Sequence, residues 1–153
     1  MGFDLSGENP QNEVGDYFRN NVWWWRALWN YTCLTCCHIL TERDQQAGGF
    51  NDGHLISKTK SIKIANTLNR FMDMGHTEKW GNKYMDELNN LPDETCKLCK
   101  GTKEREFEGK MINCNGCNGK GTTRPWEASY PFSVENVKEF AKFVEHSGGF
   151  RIC

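Results

Sequence analysis

Two short segments, CKLCKG (96–101) and CNGCNGKG (114–121), limit most tightly what this chain can fold into. Each contains a Cys-x-x-Cys turn, and 14 residues separate the two turns. Two cysteines three apart on a tight turn can point at one ion, and a second such turn supplies the other half of a tetrahedron. Gly101 and Gly119, each two residues past the second cysteine of its turn, relax the backbone so that N–H groups can swing toward thiolate sulfurs. The spacing predicts one structural zinc ion held by Cys96, Cys99, Cys114 and Cys117. Four thiolates leave no open position for substrate or water, so such an ion holds the fold and does no chemistry. An iron ion in the same four thiolates is the chemical alternative. The spacer KGTKEREFEGKMIN suits a β-hairpin with Glu108-Gly109 near its tip.

Residues 95–124 are rich in Cys, Gly, Lys and Thr and poor in large apolar side chains. They read as a zinc-binding hairpin inserted in a single domain spanning 1–153. The units resemble the cysteine-rich zinc region of the DnaJ chaperone family, whose repeat is CxxCxGxG. CNGCNGKG fits it fully, and CKLCKGTK fits except for the final glycine, where Lys103 stands. That family carries four units and two zincs, whereas this chain has two units and room for one. It also lacks the His-Pro-Asp tripeptide of the J-domain. The resemblance therefore implies a zinc hairpin and not a chaperone.

Outside the insert the apolar pattern is helical. Val22, Trp25, Trp29, Cys33, Cys36 and Leu40 form a stripe that predicts a helix over 21–42. A second helix is predicted over 57–74, facing inward with Ile62, Ala65, Leu68 and Phe71 or Met72, and stopped by Gly75. A third covers 77–90 and ends before Pro92. A last one begins at Ser133, an N-cap residue, and buries Val137, Phe140, Phe143 and Val144. Residues 1–20 read as an irregular arm, 45–54 as a glycine-rich loop, and the final FRIC as a short strand. The expected fold class is α+β, mainly helical, with about four helices and the inserted zinc-knuckle β-hairpin.

The segment VWWWRALW (22–29) holds four of the chain's six tryptophans. Successive helical residues point ~100° apart, so one buried face cannot hold three in a row. If Trp25 and Trp29 lie on the stripe, Trp24 lies at its edge and Trp23 points away, toward the side of Ala27 and Asn30. Arg19 and Arg26 are near enough to add charge or to stack on an indole. Arg124, Trp126 and Tyr130 form a second aromatic and basic group where the insert rejoins the domain. Together they read either as the Trp-rich core of a small domain or as a ligand or partner surface, since Trp, Tyr and Arg are enriched where binding energy concentrates.

Three weaker patterns remain. GGFNDGH (48–54) spaces Gly48 and Gly53 like a phosphate-binding loop, but His54 and Leu55 replace the Lys and Ser/Thr that grip phosphate and magnesium. It is read as a connecting loop or a ligand loop with Asn51, Asp52 and His54 as polar groups. Cys33 and Cys36, the Cys-x-x-Cys of CLTCCH, sit inside a helix and not at its N-terminus, which points to core packing before redox or metal chemistry. The chain's net charge is −1, yet 95–124 carries seven Lys and Arg against Glu104, Glu106 and Glu108. That balance admits nucleic-acid contact, with Phe107 the one ring able to stack on a base.

MGFDLSGENP, YFRNNVWWWRALW, the two knuckles and RPWEASYPFSVENVKEFAKFVEHSGGF together resemble a family of small proteins from bacteriophages and bacterial genomes, with Ala27 where that family has Pro. The resemblance implies a setting: a phage-type accessory factor acting in the host cytoplasm, by binding a host protein or sequestering a nucleotide-like small molecule. No stretch approaches the ~18 apolar residues of a membrane span, so no membrane partner is expected. Eight cysteines without a secretion signal fit a reducing cytoplasm. The function expected is non-catalytic zinc-containing binding. The alternatives are a nucleic-acid-binding zinc module and a small enzyme using the 48–54 loop.

Overall fold

The computed structural model describes residues 2–153 and divides the chain into two compact units. One comprises the residues up to Met85 together with Tyr130–Cys153, and the other is Asp86–Ser129. The fold class is α+β.

In the first unit, the N-terminal segment is not an irregular arm. It contains strand β1 (Gly2–Gly7), a short helix α1 (Glu13–Asp16) and strand β2 (Tyr17–Asn21). Strand β3 (His54–Ile56) and the terminal strand β8 (Phe150–Ile152) complete an antiparallel sheet of order β2-β1-β8-β3. Side chains alternate across a strand. Phe3 and Leu5 of β1, Ile56 of β3, and Phe150 and Ile152 of β8 all turn into the core. Ser6, Arg19, Leu55 and Arg151 are exposed.

Helices cover the apolar side. Helix α2 (Val22–Thr35) starts at Asn21, whose side chain accepts from the Trp24 N–H at 3.1 Å. It stops seven residues before the end that the stripe predicts. Thr32 and Thr35 turn their hydroxyls back onto the carbonyls of Leu28 and Tyr31, both at 2.9 Å. The chain then turns from Cys36 to Leu40, whose N–H groups at Ile39 and Leu40 share the Cys36 carbonyl. Helix α3 (Glu42–Ala47) occupies part of the segment read as a loop, and Thr41 and Asp44 close a capping box at its start.

Helix α4 (Lys58–Asp73) is capped by Ser57 and followed by Gly75 with φ of 73°. It buries Ser61, Ile64, Ala65, Thr67 and Leu68, while Ile62 is exposed. The inward face is thus rotated from the one the apolar residues suggest. Ser61 is accommodated because its hydroxyl meets the Val144 carbonyl and the Ser147 hydroxyl. Those partners end helix α6 (Val134–His146), which is capped by Ser133 and packs along α4. Helix α5 (His76–Asn89) is tied to α2 by the buried Tyr31 hydroxyl, 2.8 Å from Thr77 Oγ1 and 3.0 Å from His76 Nδ1.

The core is aromatic. Trp25 stacks on Trp29 at 5.3 Å and on Phe3 at 5.3 Å, and Phe140 meets Trp25 edge-on. Each indole N–H reaches the end of α3: Trp25 donates to Gly48 O at 2.7 Å and Trp29 to Gln45 O at 2.9 Å.

The second unit contains strand β4 (Glu94–Thr95) paired with β7 (Thr122–Thr123), and a hairpin of β5 (Glu104–Phe107) with β6 (Lys110–Asn113). Glu108 and Gly109 both have positive φ, 49° and 76°, as a two-residue hairpin turn requires. The hairpin and its tip stand where the spacer sequence puts them. A 3₁₀ turn over Trp126–Ser129 follows β7.

Among the described glycines, Gly48 has the least room for a side chain. A Cβ there would sit 1.9 Å from Trp29 Cε2. Gly48→Ala is expected to lower stability by about 1–3 kcal/mol through overpacking, measured by urea unfolding followed by tryptophan fluorescence.

Candidate metal centre

In the second unit Cys96, Cys99, Cys114 and Cys117 are buried, and their Sγ atoms lie within 4.8 Å of one another. Cys96 Sγ is 3.8 Å from Cys114 Sγ, and Cys99 Sγ is 3.7 Å from Cys117 Sγ. A disulfide needs about 2 Å, so these are free thiols. A tetrahedron with ~2.3 Å metal–sulfur bonds has edges of about 3.8 Å. Donor set and spacing therefore fit a metal ion held by all four cysteines.

The backbone explains the convergence. Lys100, Gly101 and Lys103 after the first turn have positive φ (52°, 87° and 72°). Asn118, Gly119 and Gly121, each 18 positions later, repeat this at 50°, 73° and 83°. The two halves then exchange bonds, Cys96 N–H to Gly121 O at 2.9 Å and Cys114 N–H to Lys103 O at 2.8 Å. The Gly121 N–H lies 3.2 Å from Cys117 Sγ, and the backbone of Gly116 and Cys117 faces the Cys114 thiol. Gly101 and Gly119 both have the relaxed, positive-φ backbone that the sequence reading asks of them, and the left-handed run through Gly119 ends at Gly121.

The aromatic residues divide between the units. In the first, Trp23 is half-buried, with its ring 5.4 Å from that of Tyr130. The Arg26 guanidinium lies 5.5 Å from the Tyr130 centroid. The Tyr84 hydroxyl holds this segment by donating to Tyr130 O at 2.7 Å. Of the two residues on the side toward which Trp23 was expected to point, Ala27 is buried and Asn30 exposed. Trp24 is half-buried and borders a shallow groove with Asn20, Ser133, Glu135, Asn136 and Glu139. Arg19 pairs with Asp4 at 3.5 Å on the outer face of the sheet. In the second unit, Trp126 is 64% exposed. Arg124 there donates to Leu91 O at 2.6 Å and Leu88 O at 2.8 Å and pairs with Asp93, closing the last turn of α5.

The 48–54 loop is employed structurally. Gly48 gives Trp29 room, the Asn51 amide donates to Gly2 O at 2.8 Å, and Asp52 accepts the His54 backbone N–H at 3.2 Å. His54 Nε2 lies 2.9 Å from Asp44 Oδ1, and Lys60 pairs with the other oxygen. An open depression of about 380 Å³ borders Arg43, Asp52 and His54. Sequence reasoning missed Asp44, because its partners come from β3 and α4 and no local pattern joins them. Burial works to raise the Asp44 pKa, but hydrogen bonds from Lys60, His54 and Thr41 outweigh it and hold the carboxylate well below its usual range.

Cys33 is half-buried and Cys36 fully buried. Burial, then the neighbouring Cys36 and Asp44, push the Cys33 thiol up to about 12. Burial pushes Cys36 up to about 11. Such thiols stay protonated and inert at neutral pH. Among the described residues no helix is long and apolar enough to cross a membrane. No protein family, curated protein or solved structure matches the chain.

Two outcomes follow from this geometry. Lys103 occupies a left-handed position that its counterpart Gly121 fills without a side chain. Lys103→Gly is expected to stabilise the metal-loaded protein by about 0.5–1 kcal/mol, read from hydrogen exchange across 95–124, whereas Gly121→Ala destabilises it. For Asp44, a folded-state pKa below the unfolded value gives stability that is present above the unfolded pKa, about 4. That stability is lost as pH falls toward the folded value. Urea midpoints of Asp44→Asn are therefore expected to fall less steeply than wild type below about pH 4. Acid release of a metal is common to both proteins and drops out of the comparison.

Proposed function

We propose that this protein is a non-catalytic zinc-containing binding protein. The observation that carries the reading is the cluster of four buried Sγ atoms within 4.8 Å. Four thiolates favour zinc and fill its tetrahedral shell, so the ion acts on the fold of the second unit and not on a substrate. Recognition falls to Trp23, Arg26 and Tyr130, a ring pair with a cation over one ring. Trp, Tyr and Arg in contact are the chemistry from which binding hot spots are built. The likeness of the WWWR segment and the knuckles to small phage and bacterial proteins supports the setting of a phage-type accessory factor, one that takes a host protein or a nucleotide-like ligand.

Native mass spectrometry of the protein from its own cells tests both parts. One zinc ion per chain is expected, and Cys96→Ser/Cys114→Ser is expected to lose it together with exchange protection over 95–124. A metal-free or iron-containing wild type overturns the zinc assignment. A co-purified partner is expected to be lost in Trp23→Ala with the zinc count unchanged; a partner retained by that variant overturns the recognition surface.

A further inference from the structure

The register of β5 against β6 sorts charges that composition mixes. Residues paired across an antiparallel ladder share a face, and neighbours along a strand alternate. Arg105 pairs with Ile112 and Phe107 with Lys110, while Glu104 pairs with Asn113 and Glu106 with Met111. One face of the hairpin therefore carries Arg105, Phe107, Lys110 and Ile112. Both strand glutamates lie on the other face. The glutamates that interrupt the basic run in sequence do not interrupt it in space, except for Glu108 in the turn.

The basic face is ordered. The Arg105 guanidinium lies 5.1 Å from the Phe107 ring centroid, and Arg105 Nε donates to Asn115 Oδ1 at 2.9 Å. Asn115 stands inside the second Cys-x-x-Cys turn, so the sulfur cluster and the arginine are joined by one side chain. Phe107 is 47% exposed and Lys110 is exposed.

We propose that this face binds single-stranded nucleic acid. Phe107 stacks on one base, Arg105 and Lys110 neutralise the flanking phosphates, and Asn115 is a positioning residue for Arg105. An open aromatic ring between two cations matches the combination that single strands require, a π-face for the base and positive charge for the backbone. A duplex hides its base faces and offers this ring nothing to stack on. The inference goes beyond the Trp23 surface and shares with it only the folded state of the protein.

Fluorescence anisotropy with the metal-loaded full chain, a labelled 20-nucleotide oligo-dT and a duplex of the same length tests it. The single strand is expected to bind more tightly than the duplex. Phe107→Ala weakens single-strand binding by about tenfold or more, the loss of one stacked base, and Phe107→Trp restores it. Lys110→Gln lowers the slope of log affinity against log salt by ~0.7, one phosphate contact on a single strand. Glu106→Gln, on the opposite face, changes affinity by less than about twofold, as an exposed charge that makes no contact should. Metal content is checked for each variant, and Phe107→Leu replaces Phe107→Ala if that variant loses its ion. Absence of single-strand binding at low salt, wild-type binding by the Phe107 variant, or equal binding of an oligo-glutamate peptide overturns the proposal. Because metal content is read separately, this failure is distinct from a failure of the zinc assignment.

Discussion

The first unit depends on how two buried indoles satisfy their N–H groups. Trp25 and Trp29 are one helical turn apart and stack at 5.3 Å, so both donors enter the same apolar interior. A buried indole N–H left without an acceptor is costly. The acceptors are Gly48 O and Gln45 O, at the end of α3, where helix carbonyls lack intrahelical partners. One shortage relieves the other. The contact is so close that position 48 has no room for a side chain. With its C-terminal end held by the indoles, α3 presents Asp44 from its N-terminal end to His54 of β3 and Lys60 of α4. Thus two tryptophans of α2, through six residues of helix, set where the next strand and the next helix begin.

The second unit solves a different problem. Its buried cluster is the four cysteines, with Leu88 and Pro125 the other buried side chains, so apolar burial contributes little. What replaces it is an approximate internal symmetry with an 18-residue offset. Cysteines, left-handed backbone positions and exchanged hydrogen bonds all recur at that offset. Such an arrangement closes a small loop pair without a core, provided the four sulfurs have something to hold. Small domains with too little apolar surface are commonly completed this way. Lys103 is the place where the symmetry is imperfect, and the backbone keeps the left-handed turn in spite of it.

Legibility in the sequence followed the range of the interactions. Helices α2, α4, α5 and α6 were visible because a helix buries a stripe that recurs within its own few turns. The hairpin tip was visible because Glu108-Gly109 is a local turn signal. The four cysteines stood out because their spacing is itself the geometry. Strands β1 and β2 were not visible. Each turns only one or two apolar side chains inward, and the partner of β1 on one side is β8, at the other end of the chain. Helix α3 was hidden by the glycine-rich run that follows it, of which Gly48 serves tryptophan packing. Ile62 misled because an apolar side chain on a helix is weak evidence of burial when Ser61 beside it has two buried partners.

The run of three tryptophans is now divided by what each ring touches. Trp25 belongs to the core with Phe3, Trp29 and Phe140. Trp24 borders the groove beside α6. Trp23 is met by Tyr130, more than a hundred positions away and held in place by the Tyr84 hydroxyl. Helical geometry could say that Trp23 needed cover from outside its helix, but not which segment would supply it. Tyr130 is one ring that meets it, with the Arg26 guanidinium 5.5 Å from the Tyr130 centroid, and Trp23 is half-buried. Trp23 is thus held at the border of the core by a contact from outside its own helix, on a helix whose next turn is anchored there. A ring supported in this way is ordered in advance, and under the function proposed above such order lowers the entropy lost when a partner arrives.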